Sequence, residues 1–174
     1  MSIPREVVAS VAVAQGYRFG GEFGISLAPR LREVAGARAL PEPLQIDLLA
    51  DAYRGQGRLR GTVRGSWQLE CQRCNKPFRA SLDLKLDLAL VHSEEAERAL
   101  LSEADPYLVQ DDQLPLHDLI EEELLLALPV FPRCESCENA VEAAAKSQPQ
   151  APQHKPEREN PFAALKQQLK SSQE

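Results

Sequence analysis

Four cysteines in two pairs of identical spacing are the residues of this chain best suited to chemistry. They are Cys71 and Cys74 in LECQRCNKPF, and Cys134 and Cys137 in FPRCESCENA. A two-residue gap lets both thiolates of a pair face one centre, and two such pairs supply the four sulfurs preferred by structural zinc. No cysteine of the four is left over. A full set of sulfurs leaves no position for a water, so the zinc expected here is structural rather than catalytic. Other uses stay open at this point. A redox pair needs its first thiol at a helix N-terminus, a disulfide is disfavoured in a reducing compartment, and four plain thiols in turns remain the simplest reading. His92, His117 and His154 are substitute ligands in principle and ordinary boundary or surface residues by default.

The elements that must position these thiols show in the hydropathy pattern. Leu59, Gly61, Val63, Gly65, Trp67, Leu69 and Cys71 alternate with Arg58, Arg60, Thr62, Arg64, Ser66, Gln68 and Glu70. That period of two is a strand with one apolar and one polar face. Leu82, Leu84, Leu86, Leu88 and Leu90 repeat it on the far side of CQRCNKPF, so the first cysteine pair falls at the tip of an antiparallel hairpin. Residues 44–50 supply a third strand, giving a three-stranded meander. The run LPLHDLIEEELLLALP predicts a helix from Asp118, with Asp118 as cap, Glu121 completing a capping box and Pro129 as stop. Its stripe of Leu116, Leu119, Ile120, Leu124 and Ala127 is expected on the sheet, and the chain leaving it returns Pro132 and Arg133 to the hairpin tip. Residues 121–123, three consecutive glutamates, read as a solvated helix face.

Upstream, Pro4 and the Val/Ala run after it suggest a weak helix, GYRFGGEFG a glycine-marked loop, and residues 29–34 a second short helix. Residues 93–113 are acidic, with a short helix and an extended piece at 107–109. The organisation that follows is a single α+β domain over 1–140, a flexible linker over 141–159 rich in Ala, Gln, Pro and charge, and a short helix and tail over 160–174. In that last piece Asn160 caps, Pro161 opens, and Phe162, Leu165 and Leu169 share a face. About ten residues do not hold a helix alone in water, so these three are candidate partner-docking residues.

With 174 residues, 43% hydrophobic, the chain suits one ordinary core. The run from Val7 to Ala14 lacks a basic flank and a cleavage site, and no stretch reaches the roughly 18 apolar residues of a membrane span. A cytoplasmic location without membrane partners is the expectation. Net charge is −6, yet Arg58, Arg60, Arg64, Arg73, Lys76 and Arg79 crowd the hairpin, near Tyr53 and Phe78. Several cations beside aromatic rings suit RNA phosphates and bases; the alternative is a polar strand face kept soluble by charge. Nucleotide-loop, metalloprotease and nucleophile-elbow motifs are missing, so neither catalysis nor a small-molecule substrate is expected.

LECQRCNKPF, then HDLIEEELLLALPVFPRC, then NPFAALKQQLK, in that order and spacing, resemble the YceD family of bacterial and plastid proteins, named for large ribosomal RNA subunit accumulation. The resemblance implies a non-enzymatic ribosome biogenesis role, supporting production or stability of 23S ribosomal RNA, with ribosomal RNA or a large-subunit ribosomal protein as partner. Alternatives from other classes are a zinc-stapled protein-interaction module and a thiol oxidoreductase.

Overall fold

The structure, a computed structural model, describes residues 3–36, 38–53 and 55–138. Its elements run β1 (Val7–Val8), α1 (Ala9–Gln15), β2 (Arg18–Phe23), a 3-10 turn at Ile25–Leu27, α2 (Pro29–Ala35), β3 (Leu44–Tyr53), β4 (Gln56–Glu70) and β5 (Pro77–Val91). They continue with α3 (Glu94–Leu100), β6 (Asp105–Leu108), β7 (Gln113–Leu114) and α4 (Leu116–Ala127). The chain divides into a compact unit Met1–Cys134 and a second unit Glu135–Glu174, of which only a helical turn at 135–138 is described. The expected linker over 141–159 and the helix and tail over 160–174, with Phe162, Leu165 and Leu169, lie outside the described residues. Among the described residues no helix is long and apolar enough to cross a membrane.

The α+β expectation holds, and the meander is there. Glu70 faces Pro77, Val63 faces Leu84 and Gly57 faces Leu90 along the β4–β5 hairpin, and β3 runs antiparallel on the other side of β4. The sheet extends beyond the meander at both edges, in the order β2-β3-β4-β5-β6. At one edge GYRFGGEFG, expected as a loop, is strand β2: Phe19 faces Leu48, Phe23 faces Leu44, and both rings are buried. Phe19, Gly21 and Phe23 do alternate, but two glycines inside a short run hide that period behind a turn signature. At the other edge β6 runs parallel to β5, reached through the crossover helix α3, whose cap is Ser93 accepting from the Ala96 amide at 3.2 Å.

The alternating positions lead inward as the pattern required. Leu44, Ile46, Leu48, Leu59, Val63, Trp67, Leu82, Leu86, Leu88 and Leu90 form one core with Leu31 of α2 and Leu116, Leu119, Ile120 and Leu124 of α4. Strands β3 and β4 come unusually close at Gly61, where a Cβ would lie 2.0 Å from the Asp47 carbonyl oxygen. Only glycine fits there.

Two sequence readings of α4 need correction. The helix starts at Leu116, after Pro115, with no side-chain cap, and Asp118 sits in its first turn. The apolar Leu116 is drawn into the core and moves the start two residues upstream of the polar residue that resembled a cap. Glu121 is not solvated either, being 1% exposed. Its Oε1 accepts from the Leu31 amide at 2.9 Å and its Oε2 from Arg30 Nε at 3.0 Å. One carboxylate thereby satisfies an orphan amide in the first turn of α2 and pairs with a cation in that turn. The Arg30 guanidinium, whose Nη2 also donates to the Asp118 carbonyl at 3.2 Å, is held protonated more firmly than usual, chiefly by its hydrogen bond to Glu121.

Candidate metal centre and the charged sheet face

Strand β4 delivers Cys71 into a tip formed by residues 71–76. The Asn75 amide donates to the Cys71 carbonyl at 2.8 Å, and the Cys71 amide donates to the Lys76 carbonyl at 3.0 Å. Asn75 has φ of 55°, a left-handed conformation that asparagine accepts more readily than most residues. After α4 ends, the chain passes along this tip. The Gln72 amide donates to the Pro132 carbonyl at 3.0 Å, and the Gln72 side chain donates to the Val130 carbonyl at 3.2 Å. That is the return of Pro132 expected from the sequence, and it places Cys134 at the hairpin tip.

The sulfurs of Cys71, Cys74, Cys134 and Cys137 all lie within 4.8 Å of one another. All four are free thiols, and Cys74 and Cys134, from different pairs, approach to 3.8 Å. A tetrahedron with zinc–sulfur bonds of about 2.3 Å has sulfur–sulfur edges of about 3.8 Å. The donor set and its spacing therefore fit a tetrahedral metal and are too open for disulfides, whose sulfurs stand about 2 Å apart. Cys71 is buried and the other three lie nearer the surface. Its thiol is pulled from 9.0 to about 6, first by the Cys134 amide and then, against the opposing effect of burial, by the Cys74 and Arg73 amides and the Cys74 thiol. Amides aimed at a sulfur stabilise its thiolate, which is the form that binds metal.

The histidines lie outside this group. His117 Nε2 is 3.0 Å from the Ile3 carbonyl, with its ring edge-on to Phe23. His92 lies by the Leu108–Asp111 stretch, and His154 is outside the described residues.

Arg58, Arg60 and Arg64 share the polar face of β4 as the alternation requires, and Arg73, Lys76 and Arg79 are exposed around the tip. The strand arginines are engaged by acids from the neighbouring strands. Arg58 pairs with Asp87 at 2.7 Å, Arg60 with Asp51, and Arg64 with Asp83 at 3.3 Å. Arg18 and Asp47 repeat the arrangement at 2.7 Å, which lowers the Asp47 carboxyl below its ordinary value through that hydrogen bond. Near the tip Arg79 reaches Glu42 at 2.8 Å. The sheet face is thus a lattice of alternating charges rather than a basic surface. The signal was present in Asp83 and Asp87, but only the β4–β5 register brings them against the arginines.

The two aromatic residues expected beside the cations have different fates. The Arg58 guanidinium lies 5.4 Å from the centre of the Tyr53 ring, a cation–π contact, whereas Phe78 faces Leu69 and packs against the core. An aromatic ring that does stand out in this region is Phe131, 71% exposed between Val130 and Pro132. Hydropathy patterning missed it because residues 129–133 follow no period.

A hairpin carrying a four-sulfur cluster on an α+β scaffold defines a protein with a candidate structural metal centre, in which these cysteines can hold a metal ion. Comparison with known proteins then places the chain: residues 59–170 match the family model described as "Large ribosomal RNA subunit accumulation protein YceD". The chain belongs to the YceD family. A Haemophilus influenzae protein of that same description is 30% identical over 108 residues, 62% of each chain. The aligned stretch thus spans under two thirds of that relative's length. No solved structure matches the chain.

Proposed function

We propose that this protein is a non-enzymatic ribosome biogenesis factor that supports synthesis, processing or accumulation of 23S ribosomal RNA, in the cytoplasm. The observation that carries the reading is the convergence of four sulfurs at the β4–β5 tip in a chain of a family described by large ribosomal RNA accumulation. Cys71, Cys74, Cys134 and Cys137 would hold zinc. Bound there it would supply a structural cross-link with no open coordination position, tying the hairpin to the chain that leaves α4.

RNA contact is assigned to Arg73 and Lys76, which are exposed at the tip on the surface that the metal would rigidify, and to Arg79 beside them, whose guanidinium a phosphate would share with Glu42. Arg58, Arg60 and Arg64 on the strand face are assigned to RNA as well, each with an acid, Asp87, Asp51 and Asp83, that a phosphate must displace. The lattice of paired charges limits indiscriminate binding while leaving the tip attractive to RNA. Phe162, Leu165 and Leu169 are assigned to docking a protein partner, a large-subunit ribosomal protein being the class that fits this role.

Crosslinking in cells followed by sequencing tests the reading. The expected result is enrichment of 23S ribosomal RNA, reduced by joint replacement of Arg73 and Lys76 with Ser. Recovery of protein partners alone, with no RNA, would replace this reading with that of a protein-interaction module.

A further inference from the structure

The lattice of paired charges on the polar face of the sheet has an open position. Arg18, Arg58, Arg60, Arg64 and Arg79 each hold an acid. Lys85 is exposed on β5 between Asp83 and Asp87, and those two acids are engaged by Arg64 and Arg58. Directly across the β4–β5 ladder Lys85 faces Thr62. Among the described residues neither the Lys85 ammonium nor the Thr62 hydroxyl has an ion-pair or hydrogen-bond partner.

Both residues line a cleft of about 560 Å³ on that face. Arg60 and Arg64 stand two positions either side of Thr62, on the same face of β4, and the short side chain between two long ones makes the depression. Arg18 joins the lining from β2, so four cations surround the cleft against two acids, Asp47 and Asp87. Both acids are taken: Arg18 holds Asp47 at 2.8 and 2.7 Å, and Arg58 holds Asp87 at 2.7 Å. The uncommitted donors at the centre are an ammonium and a hydroxyl. Residues opposed in an antiparallel pair have their Cβ atoms about 4.5–5.5 Å apart, close enough for one anion to take a hydrogen bond from each.

A lysine point charge beside a threonine hydroxyl is a donor set that nucleic-acid backbones use. A phosphate meets this set without displacing an acid, which the arginines of β4 do not allow. The cleft lies open on the sheet face, whereas a small ligand is bound by burying most of its surface. An open cleft instead admits one phosphate of a polymer that continues past it on both sides.

We propose that this cleft binds one backbone phosphate of RNA, with Lys85 as its charge partner and Thr62 donating beside it. The proposal rests on the RNA reading above and extends the contact from the hairpin tip onto the sheet face, through a lysine that lies outside the cations assigned there.

Fluorescence anisotropy on the full-length chain tests it, with a labelled unstructured 12-nucleotide RNA over a series of salt concentrations. Each phosphate neutralised on a single strand contributes about 0.7 to the slope of log affinity against log salt. Lys85→Gln should therefore weaken binding and make that slope shallower by about 0.7, and Lys85→Arg should keep the native slope. Thr62→Val should weaken binding with the slope unchanged, since a hydroxyl carries no charge. Arg32→Gln removes an exposed charge from α2, which packs on the core side of the sheet, and should leave both affinity and slope at their native values. Because Lys85 is exposed and unpaired, circular dichroism and melting of Lys85→Gln should match the native chain.

Native affinity and slope in Lys85→Gln would overturn the inference. If joint Arg73→Ser and Lys76→Ser still abolished binding in that case, the RNA reading itself would survive. An equal loss from Arg32→Gln would mark a diffuse effect of net charge and overturn the inference as well. A native chain that binds no RNA would overturn both. Lys85-dependent binding of poly-L-glutamate as tight as that of the RNA would make the cleft a surface for an acidic protein and overturn the inference.

Discussion

Replacing Glu121 by Ala probes the joint between α4 and α2. The substitution leaves the Leu31 amide without its acceptor at 2.9 Å in a buried setting, which costs about 1–3 kcal/mol. It also deletes a methylene from a residue that is 1% exposed, about 0.8 kcal/mol. The Arg30 side chain is 50% exposed, so solvent screens its pairing and loss of that contact adds at most about 1 kcal/mol. The total is roughly 2–5 kcal/mol, a large fraction of the ordinary stability of a domain. Glu121→Gln, which keeps an oxygen for the Leu31 amide, should cost less than half as much. Urea denaturation of the full chain followed by circular dichroism reads both, and the Ala variant should move the midpoint down by on the order of 1–2 M. A loss below about 1 kcal/mol for Glu121→Ala would show that the carboxylate does not hold α2 in place, and the packing argument would fail.

Other perturbations have defined outcomes. Gly61→Ala forces a Cβ to within 2.0 Å of the Asp47 carbonyl and should cost at least about 2 kcal/mol in the same assay, whereas Arg64→Ala, which breaks an ion pair more than 60% exposed on both sides, should fall within about 0.5 kcal/mol. Burial first, then Asp105 and Glu122, raise the Glu123 carboxyl above 4.5. Its contribution to stability is therefore fully present below pH 4.5 and is lost as pH rises through its folded value. Glu123→Gln should accordingly raise the melting temperature at neutral pH, and the gain should vanish below pH 4.5. For Cys71 the sign is opposite: its thiol is lowered from 9.0 to about 6, so metal-free protein should melt higher at pH 9 than at pH 6, a trend that Cys71→Ser should flatten. Metal removal by a strong chelator should lower the melting point of the native chain and leave that of the Cys71→Ser, Cys134→Ser double variant unchanged.

The parts of this fold written as regular repeats were legible before any coordinates. Alternation through β4 and β5 located the hairpin, its tip and the cysteine pair at it, and the helical stripe with Pro129 behind it returned the chain to that tip. What the pattern hid came from context that a single strand does not carry. Strand β2 is concealed because Gly20 and Gly21 read as a turn until β3 offers them a partner. Glu121 resembles its exposed neighbour Glu122, and only the approach of α2 supplies the amide and the guanidinium that make its burial tolerable. The arginines of β4 look like a basic surface until register sets Asp83 and Asp87 against them. Phe131 belongs to no periodic segment, and the backbone on either side of it is held by Gln72, which donates to the Val130 and Pro132 carbonyls.

Metal analysis of the full-length chain, purified without added metal, tests the central claim most directly. With Cys71, Cys74, Cys134 and Cys137 clustered within 4.8 Å, the account predicts about one zinc per chain, held through native mass spectrometry and absent from the Cys71→Ser, Cys134→Ser double variant. Zinc-free protein that is fully folded, with four thiols open to titration, would contradict it.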